Sequence, residues 1–380
     1  MKKCLFIITF GAFIILIWTF SSFSAEPIRI GSPLALSGNA AFAAIPEKET
    51  LQMLVAISNK AGGINGRPIE FIYYDDENKP DVAVSVIKRL IEKDKVTAIL
   101  CVTTSYTALA ISPIIEKAQI PTIMLAATLK IVDPVKKWVF KIPPDERIAI
   151  AKLLSYMQSQ GIQRIAIMTS QDPFGDQGRS ELTAQAPTYG IKIVFDDKYT
   201  IEDTDITPTL NKIKKTDAQA VVNWSPYRAP VIFTMNYRQM GLELPLFLSH
   251  ADLTPQFLEA AGKNAEGIKV GSFKFFGTKE LPDSDPQKRV ILDYLAAYKE
   301  KYGKQGNHFG GSAWDGFYML TAALKKAGDN KSKLRDAIEQ TRGFIGTYGI
   351  FNYSPDDHSG ISKESLIMYQ VTGGEWKMIK

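Results

Sequence analysis

Residues Ala61–Glu77 read AGGINGRPIEFIYYDDE, and this stretch decides the fold. Its three glycines can adopt left-handed backbone angles that other residues resist, so a helix can end here and the chain can reverse tightly. The Arg67-Pro68 pair then biases the backbone toward extended geometry. Ile69–Tyr74 is rich in β-branched and aromatic residues, which is typical of a buried strand. The stretch therefore predicts a joint between a helix and a strand.

Helical and strand-like patterns alternate on both sides of this joint. A first series runs from a strand at Ile28–Leu36 through a helix at Glu47–Lys60 to a strand at Thr122–Ala126. Further helices are predicted at Asp81–Lys93, Tyr106–Lys117, Glu146–Ser159, Gly178–Ala186, Ile206–Lys215, Ala229–Met240, Pro255–Ala261, Pro286–Tyr302, Gly311–Ala327 and Ser332–Thr341, and further strands at Thr97–Val102, Arg164–Thr169, Lys192–Tyr199, Ala220–Asn223, Leu246–Ser249, Ile268–Phe276, Tyr348–Tyr353, Ser365–Val371 and Glu375–Ile379. Repeated βα units predict an α/β fold with mostly parallel sheets covered by helices.

The composition fits a two-domain globular protein. The chain has 380 residues, which is too long for one ordinary core, and 45% of them are apolar and 22% charged. The net charge is +5, and basic residues alternate with acidic ones along the predicted helices. This pattern indicates solvated helix faces, so no nucleic-acid partner is expected.

The first 25 residues predict export from the cytoplasm. Lys2-Lys3 precede an apolar run over Leu5–Phe20 and the small-residue segment SSFSA, which is the order of a secretory signal peptide. The alternative is an uncleaved membrane anchor, since the apolar run is nearly long enough to span a bilayer. Cys4 lies in this leader and no lipobox cysteine follows it, so a lipid anchor is not expected. Cys101 is then the only cysteine of the mature chain, so no disulfide within the chain is expected, and its thiol is expected to be buried and inert.

The joint and several other motifs resemble one family, the type I periplasmic solute-binding proteins of branched-chain amino acid (Leu/Ile/Val-binding) ABC transporters. The most specific match is LVAISNKAGGINGRPIEFIYYDDE at Leu54–Glu77. The order and spacing of the motifs carry the resemblance over essentially the whole mature chain. The other matching segments are Ile28–Gly38, Leu100–Thr128, Phe174–Gly178 (FGDQG), Ala260–Gly271 and Gly343–Gly360.

The resemblance implies a two-lobed periplasmic binding protein of type I, with three hinge crossovers. Each lobe is expected to be a mostly parallel sheet flanked by helices. The expected crossovers lie near Ile142–Arg147, Ser272–Gly277 and Ile345–Gly349. These positions predict a first lobe over residues 26–146 and 277–346, and a second lobe over residues 147–276 and 347–380. Ligands of open α/β sheets bind beyond the carboxyl ends of the strands, so a cleft between the lobes is the expected site.

Hydroxyl groups at a helix start predict a carboxylate site. Thr104 and Ser105 precede a predicted helix, where hydroxyls and free backbone N–H groups can hold an anion. The alternative is that either residue only caps the helix. The resemblance implies that Thr104, Ser105 and Thr128 hold the ligand carboxylate and that the carbonyl of Ala126 accepts from an ammonium.

The resemblance also implies an aromatic pocket. Phe42 and Phe174 correspond to aromatic residues that cover the ligand, and Tyr227 is expected to reach in from the second lobe, with Trp224 beside it. Simple core packing is the alternative for each of these side chains. For Trp314, core packing is the expectation.

Two departures from the family pattern concern the ligand ammonium. Amino-acid binders of the family carry an acidic residue after the strand that ends here at Ser249, whereas this chain reads SHADLTPQ. His250 or Ala251 takes that position and Asp252 follows. Phe174 replaces a common tyrosine. The expected ligand is therefore a small carboxylate. The family default is a branched-chain or other apolar amino acid, and the alternative is an aromatic or short aliphatic carboxylate without an α-amine.

The resemblance implies a periplasmic substrate-binding component of an ABC importer. Its partners would be the solute and a permease with a cytoplasmic ATPase, and a monomer without cofactor or metal is expected. A sensory receptor domain is the second candidate class of protein. Such a domain usually continues into a membrane helix, whereas this sequence ends at Lys380.

A hydrolase-type enzyme is the third candidate class of protein. The sequence lacks a phosphate loop, an HExxH motif and a nucleophile elbow, so no enzyme is expected. His308 and His358 are interpreted as surface residues, and Asp75-Asp76-Glu77 as the cap of a turn rather than a metal cluster.

Overall fold

The computed structural model describes residues 26–226 and 228–379. The predicted signal peptide and Tyr227 therefore lie outside the described residues. Within those two ranges, no helix combines the length and the apolar character needed to cross a membrane.

A first sheet is built from the amino-terminal βα units. Its strands are β1 (Ile28–Leu34), β2 (Ile69–Asp75), β3 (Ala98–Leu100), β4 (Thr122–Met124) and β5 (Val139–Lys141), and its early helices are α1 (Ala41–Lys60), α2 (Pro80–Glu92) and α3 (Ser105–Ala118). The strands lie in the order β2-β1-β3-β4-β5, and every pair is parallel. Helices α2 and α3 pack against this sheet around an apolar cluster that is separate from the main core.

A second sheet follows along the chain. The chain first forms α4 (Glu146–Ser159), β6 (Arg164–Ser170), α5 (Pro173–Gln185), β7 (Lys192–Tyr199), α6 (Thr207–Ile213), β8 (Ala220–Trp224), α7 (Ala229–Gln239), β9 (Leu246–Leu248), α8 (Pro255–Ala261) and β10 (Lys269–Phe273). It then leaves this sheet and forms α9 (Pro286–Tyr302), α10 (His308–Ala327), α11 (Lys331–Glu339) and a separate strand pair, β11 (Phe344–Ile345) and β12 (Ile350–Phe351). It returns to complete the second sheet with β13 (Leu366–Thr372) and β14 (Glu375–Ile379). The strand order is β14-β13-β10-β9-β8-β6-β7. Only the pairs made by β13 are antiparallel in this sheet. The predicted α/β class is confirmed.

The glycine-rich joint has the predicted form. Helix α1 ends at Lys60, Gly63 takes a φ of 74°, and β2 begins at Ile69. A side chain at position 63 would place its Cβ 2.0 Å from the Arg67 carbonyl oxygen, so only glycine fits this reversal. The Asn59 side chain closes the joint with two bonds to the Ile69 backbone, at 2.7 and 2.9 Å.

Two connecting segments are bonded to one another where the chain passes between the sheets. Strand β5 leads through residues 142–145 into α4, which packs on β10 and β13 of the second sheet. The Tyr353 hydroxyl donates to the Lys141 carbonyl at 2.8 Å, and the Lys141 N–H donates to the His358 carbonyl at 3.1 Å. Further along, α9 and α10 return to pack against α1. The limits of the two lobes stay a prediction.

Several elements differ from the sequence predictions, in their existence or in their bounds. Strand β5 was not predicted, because three residues are too few for a periodic pattern. Helix α1 begins at Ala41 and continues through Pro46, although the predicted start was Glu47. Helix α5 begins at Pro173 and not at Gly178, because the Asp172 side chain caps it by accepting from two backbone N–H groups.

Candidate ligand-binding site

A cavity that is partly open to solvent lies where the carboxyl ends of strands from both sheets meet. This is the place at which open α/β sheets bind ligands. Residues after β3, β4, β6, β8 and β9 line it, together with side chains of α1 and α10. The lining residues are Phe42, Thr103, Thr104, Ser105, Leu125, Ala127, Pro143, Phe174, Pro226, His250, Ala251, Phe273, His308, Phe309 and Tyr348.

One end of the cavity is the start of helix α3. Cys101 turns the chain out of β3 with a left-handed φ of 76°, which is uncommon for a residue with a side chain. The Thr104 hydroxyl accepts from the Thr107 N–H at 3.3 Å and donates to Asn78 Oδ1 at 2.8 Å. Thr104 therefore caps helix α3, which was the alternative to a role in binding a carboxylate. Ser105 lines the cavity beside the first backbone N–H groups of the helix, which have no partner within it.

Thr128 and Ala126 lie behind the cavity wall, which is formed at this point by Leu125 and Ala127. Both are buried, and the Thr128 N–H donates to Ser105 Oγ at 3.3 Å. The Thr128 hydroxyl is buried without a hydrogen-bond partner.

The apolar wall is aromatic. Phe42 meets Phe309 edge-on with ring centroids 5.6 Å apart, and Phe174 stacks on Trp224 at 5.9 Å. Trp224 is buried behind Phe174 and does not line the cavity itself. Trp314 packs away from the cavity against Tyr294 and Tyr318, which confirms its predicted core role.

The FGDQG motif allows this packing. A Cβ at Gly178 would lie 2.1 Å from Cδ1 of Trp224, and one at Gly175 would lie 2.2 Å from the Ser170 carbonyl oxygen. The two glycines therefore let α5 approach β6 and the tryptophan closely. This approach places Phe174 at the cavity.

The SHADL segment places a histidine, not a carboxylate, at the cavity. His250 begins a short 3-10 helix after β9 and lines the cavity with Ala251. Asp252 is turned back, because its Oδ2 accepts from the Ser249 hydroxyl at 2.8 Å and from the Ser249 N–H at 3.1 Å. Burial raises the pKa of Asp252 well above its usual range. Asp252 instead lines an adjoining recess with Phe42 and Arg228.

Two histidines face the cavity as neutral groups. His250 and His308 are almost fully buried, with 2% and 1% of their surface exposed. Burial lowers the pKa of each to about 3. The Pro144 carbonyl lies near His250 and the Leu253 carbonyl near His308, but both ring nitrogens of His250 and Nδ1 of His308 make no hydrogen bond of good geometry. The interpretation of His308 as a surface residue is wrong, because α10 begins at this residue and carries it inward.

His358 is also buried, so its interpretation as a surface residue is wrong as well. Its ring stacks on Phe140, and its nitrogens contact the Val139 carbonyl at 2.8 Å and Glu339 Oε1 at 3.2 Å. This histidine supports the connection between the sheets and does not reach the cavity.

A buried acid stands behind the cavity wall. The Thr103 hydroxyl and the Cys101 thiol donate to Glu47 Oε2 at 2.7 and 3.2 Å. Burial raises the pKa of Glu47 to about 8, and its hydrogen bonds only partly oppose this. Glu47 is therefore largely uncharged at neutral pH. Sequence reasoning missed Glu47 because one glutamate early in a helix is an ordinary surface pattern.

The described residues offer no group of histidine, cysteine and acidic side chains placed to hold a metal ion. Asp75 Oδ1 accepts from the Leu36 and Glu77 N–H groups, and Asp76 Oδ1 accepts from the Asn78 N–H. The predicted role of this acidic pair as a turn cap is confirmed. The site is thus a largely apolar cavity with a helix start at one end and two neutral histidines.

Comparison with known proteins agrees with this architecture. The family described as periplasmic binding protein matches residues 27–375. A leucine-, isoleucine-, valine-, threonine- and alanine-binding protein of Pseudomonas aeruginosa is 22% identical over 320 residues, which cover 83% of each chain. A Leu/Ile/Val-binding protein of Escherichia coli K12 is 25% identical over 287 residues, which cover 73% of this chain and 74% of the relative.

Solved structures share the fold. An extracellular ligand-binding receptor from Rhodopseudomonas palustris HaA2 has a TM-score of 0.88 and 24% identity, covering 93% of this chain and 99% of its own. The branched-chain amino acid transporter substrate binding protein LivJ from Streptococcus pneumoniae, solved in complex with isoleucine, has a TM-score of 0.81 and 22% identity, with the same coverage.

Proposed function

Because this chain belongs to the periplasmic binding protein family, we propose that it is the substrate-binding component of an ABC importer. The relatives that it matches are binding proteins, and this chain is likewise a binding protein and not an enzyme. In this proposal it captures a small carboxylate-bearing solute between its lobes and delivers the solute to a membrane permease. The observation that carries the proposal is the cavity at the meeting strand ends, with the start of α3 at one side.

The helix start suits a carboxylate. Its backbone N–H groups and the positive end of the helix dipole favour an anion, and the Ser105 hydroxyl lies among them. The Thr128 N–H donates to Ser105 Oγ, and the buried Thr128 hydroxyl, which has no partner, would gain one from a ligand that reaches it. We assign Ser105 and Thr128 to the carboxylate, while Thr104 shapes the helix start that holds it.

Two ligand classes are consistent with a carboxylate site. Amino acids are the family default, because the relatives in Pseudomonas aeruginosa and Escherichia coli are both named for binding leucine, isoleucine and valine, and the first also for threonine and alanine. The second candidate is an aromatic or short aliphatic carboxylate without an α-amine. The observation in its favour is that no described lining residue is acidic.

Transport requires capture and release. We propose that the solute docks on the first lobe, residues 26–146 and 277–346, and that the second lobe, residues 147–276 and 347–380, rotates over it. The ligand would stabilise the closed state through the contacts it adds there. In this proposal the signal peptide at residues 1–25 directs a monomer to the periplasm, with no lipid anchor.

The carboxylate assignment is tested by calorimetric titration of mature protein. A thermal-shift screen of amino acids and of aromatic and aliphatic carboxylates first identifies a solute that binds. Ser105→Ala and Thr128→Ala should then each weaken its binding by roughly tenfold, because each loses a hydrogen bond to a charged group. Ser85→Ala removes an exposed hydroxyl from α2 and should change nothing.

Unchanged affinity in both site variants would overturn the carboxylate assignment. A screen in which no carboxylate raises the melting temperature would overturn the proposed solute class. The affinities are compared for variants whose melting temperature without ligand matches that of the unaltered protein.

A further inference from the structure

We infer that His250 and His308 bind an uncharged polar group of the ligand, so that the ligand is an apolar carboxylic acid bearing a hydroxyl or carbonyl in place of an ammonium. This inference rests on the proposed function and narrows its ligand class. It concerns the part of the cavity away from Ser105.

The first observation is that the two histidines are built into the cavity from opposite sides. His250 follows β9 of the second sheet, and His308 begins α10, which packs against α1 beside the first sheet. Both rings line the cavity. A backbone carbonyl lies near each ring, that of Pro144 near His250 and that of Leu253 near His308, but three of the four ring nitrogens are buried without a hydrogen bond of good geometry. Buried polar atoms are almost always hydrogen-bonded in folded proteins, so unpaired nitrogens aimed at a cavity point to a ligand group.

The second observation is the charge state of the pair. Burial keeps both imidazoles neutral, and the Lys141 ammonium further disfavours a proton on His250. A neutral imidazole offers one N–H donor and one acceptor nitrogen. A hydroxyl can match either, and a carbonyl can match the donor. A ligand group without charge is therefore the fitting partner.

The third observation concerns an ammonium, which needs a negative partner when it is buried. No described residue that lines the cavity is acidic. Glu47 lies behind Thr103, accepts its hydroxyl at 2.7 Å and is largely protonated at neutral pH. Asp252 is occupied by two bonds to Ser249. Neither carboxyl group therefore lies on the cavity wall. Described carboxylates line the adjoining recess (Asp252) and the open cleft that shares Ser105 and Phe174 with the cavity (Glu77, Asp172 and Glu202).

The surroundings of the histidines define the body of the ligand. The His250 ring lies 5.7 Å from that of Phe174, and the His308 ring lies 4.9 Å from that of Phe273. Phe42, Phe309 and these rings form an apolar part of the cavity wall. An aromatic or branched apolar body fits such a wall.

The test is a matched ligand series measured by calorimetry on the mature protein. The probes are 3-phenylpropanoate, 3-phenyllactate, 3-(4-hydroxyphenyl)propanoate and phenylalanine, with 4-methylpentanoate, 2-hydroxy-4-methylpentanoate and leucine as the aliphatic set. At least one hydroxy acid should bind about tenfold or more tightly than its unsubstituted parent, and the amino acids should bind no better than the parents. Tightest binding by phenylalanine or leucine would overturn the inference.

Substitutions locate the hydrogen bonds. His250→Phe and His308→Phe should each reduce the preference for the hydroxyl while leaving affinity for the unsubstituted parent within about threefold. His250→Gln keeps a donor and an acceptor and should retain part of the preference, which covers the case in which His250→Phe does not fold. A hydroxyl preference that persists in both folded phenylalanine variants would overturn the inference.

The Ser105→Ala variant separates this inference from the proposed function. It should weaken all carboxylates alike and leave the hydroxyl preference intact. If Ser105→Ala and Thr128→Ala change no affinity, the carboxylate site is wrong whatever the histidine variants do. If they weaken binding and amino acids still bind best, only the histidine inference fails.

Discussion

At the scale of single residues, burial sets the chemistry of the site, because Glu47, His250 and His308 are all buried and burial favours the neutral form of each. Thr104 and Ser105 could be placed from the sequence because a helix start leaves a local signal in the chain. His308 could not, because the turn that carries it into the cavity depends on where α10 begins and on what α10 packs against. Glu47 was missed for the same reason, since burial decides its chemistry and no local pattern reports burial.

Glu47 makes stability depend on pH. Its pKa is about 8 in the folded protein against 4.5 for an ordinary glutamate, so the folded state binds the proton more tightly. The stability contributed by protonated Glu47 is fully present below pH 4.5 and is lost as pH rises through 8. Glu47→Gln, which stays neutral, should therefore be less sensitive to alkaline pH, by on the order of 3 kcal/mol between pH 5 and 8.5.

Urea unfolding at both pH values measures this difference. Glu92→Gln, at an exposed position at the end of α2, serves as the control and should keep the pH dependence of the unaltered protein. Equal pH dependence in Glu47→Gln and the unaltered protein would contradict the assignment of a protonated, buried Glu47.

At the scale of elements, the chain was predictable where one motif determines one joint. The glycine-rich turn before β2 has the predicted form, because the steric demand at Gly63 is local. The start of α5 was not predictable in the same way. FGDQG looked like a turn opening a helix at Gly178, yet its glycines lie inside the helix, where β6 and Trp224 press against them.

Gly178→Ala tests this close approach. The added methyl would overlap Trp224, so the indole must move and lose its stacking on Phe174. Such overpacking should destabilise the protein by about 1–3 kcal/mol and weaken ligand binding as well. Chemical unfolding and calorimetric titration measure the two effects. Ser180→Ala changes an exposed position of the same helix and should leave both values unaltered, whereas normal binding by Gly178→Ala would contradict the argument.

At the scale of the whole molecule, the resemblance predicted the two-lobed fold, but it could not predict the cavity in detail. Thr103, His250, His308 and Tyr348 are far apart in sequence and meet only when both sheets and α10 are in place. Their relative positions depend on how the sheets face each other. That arrangement comes from long-range packing, which a single sequence does not display.

Asp315 holds the segment at Thr347 and Tyr348, which contributes Tyr348 to the cavity wall. It is buried on α10 and accepts from the Thr347 N–H at 2.7 Å, the Tyr348 N–H at 3.0 Å and the Thr347 hydroxyl at 3.1 Å. Asp315→Ala leaves these donors unpaired and should destabilise the protein by about 3 kcal/mol. Ligand affinity should fall too, because Tyr348 lines the cavity.

Thermal unfolding and calorimetric titration check both effects. Asp315→Asn keeps an acceptor and should lose less than Asp315→Ala. Equal stability of Asp315→Ala and the unaltered protein would show that Asp315 does not hold this segment.

The bonds between the connecting segments have a mechanical consequence. Lys141 is held by the Tyr353 hydroxyl on its carbonyl and by the His358 carbonyl on its N–H, so neighbouring stretches of two connections are tied at two points. These two bonds resist sliding of the stretches past one another, so we expect the two sheets to move by rotation rather than by shear. A pair of distance labels, one on each sheet, would follow that rotation.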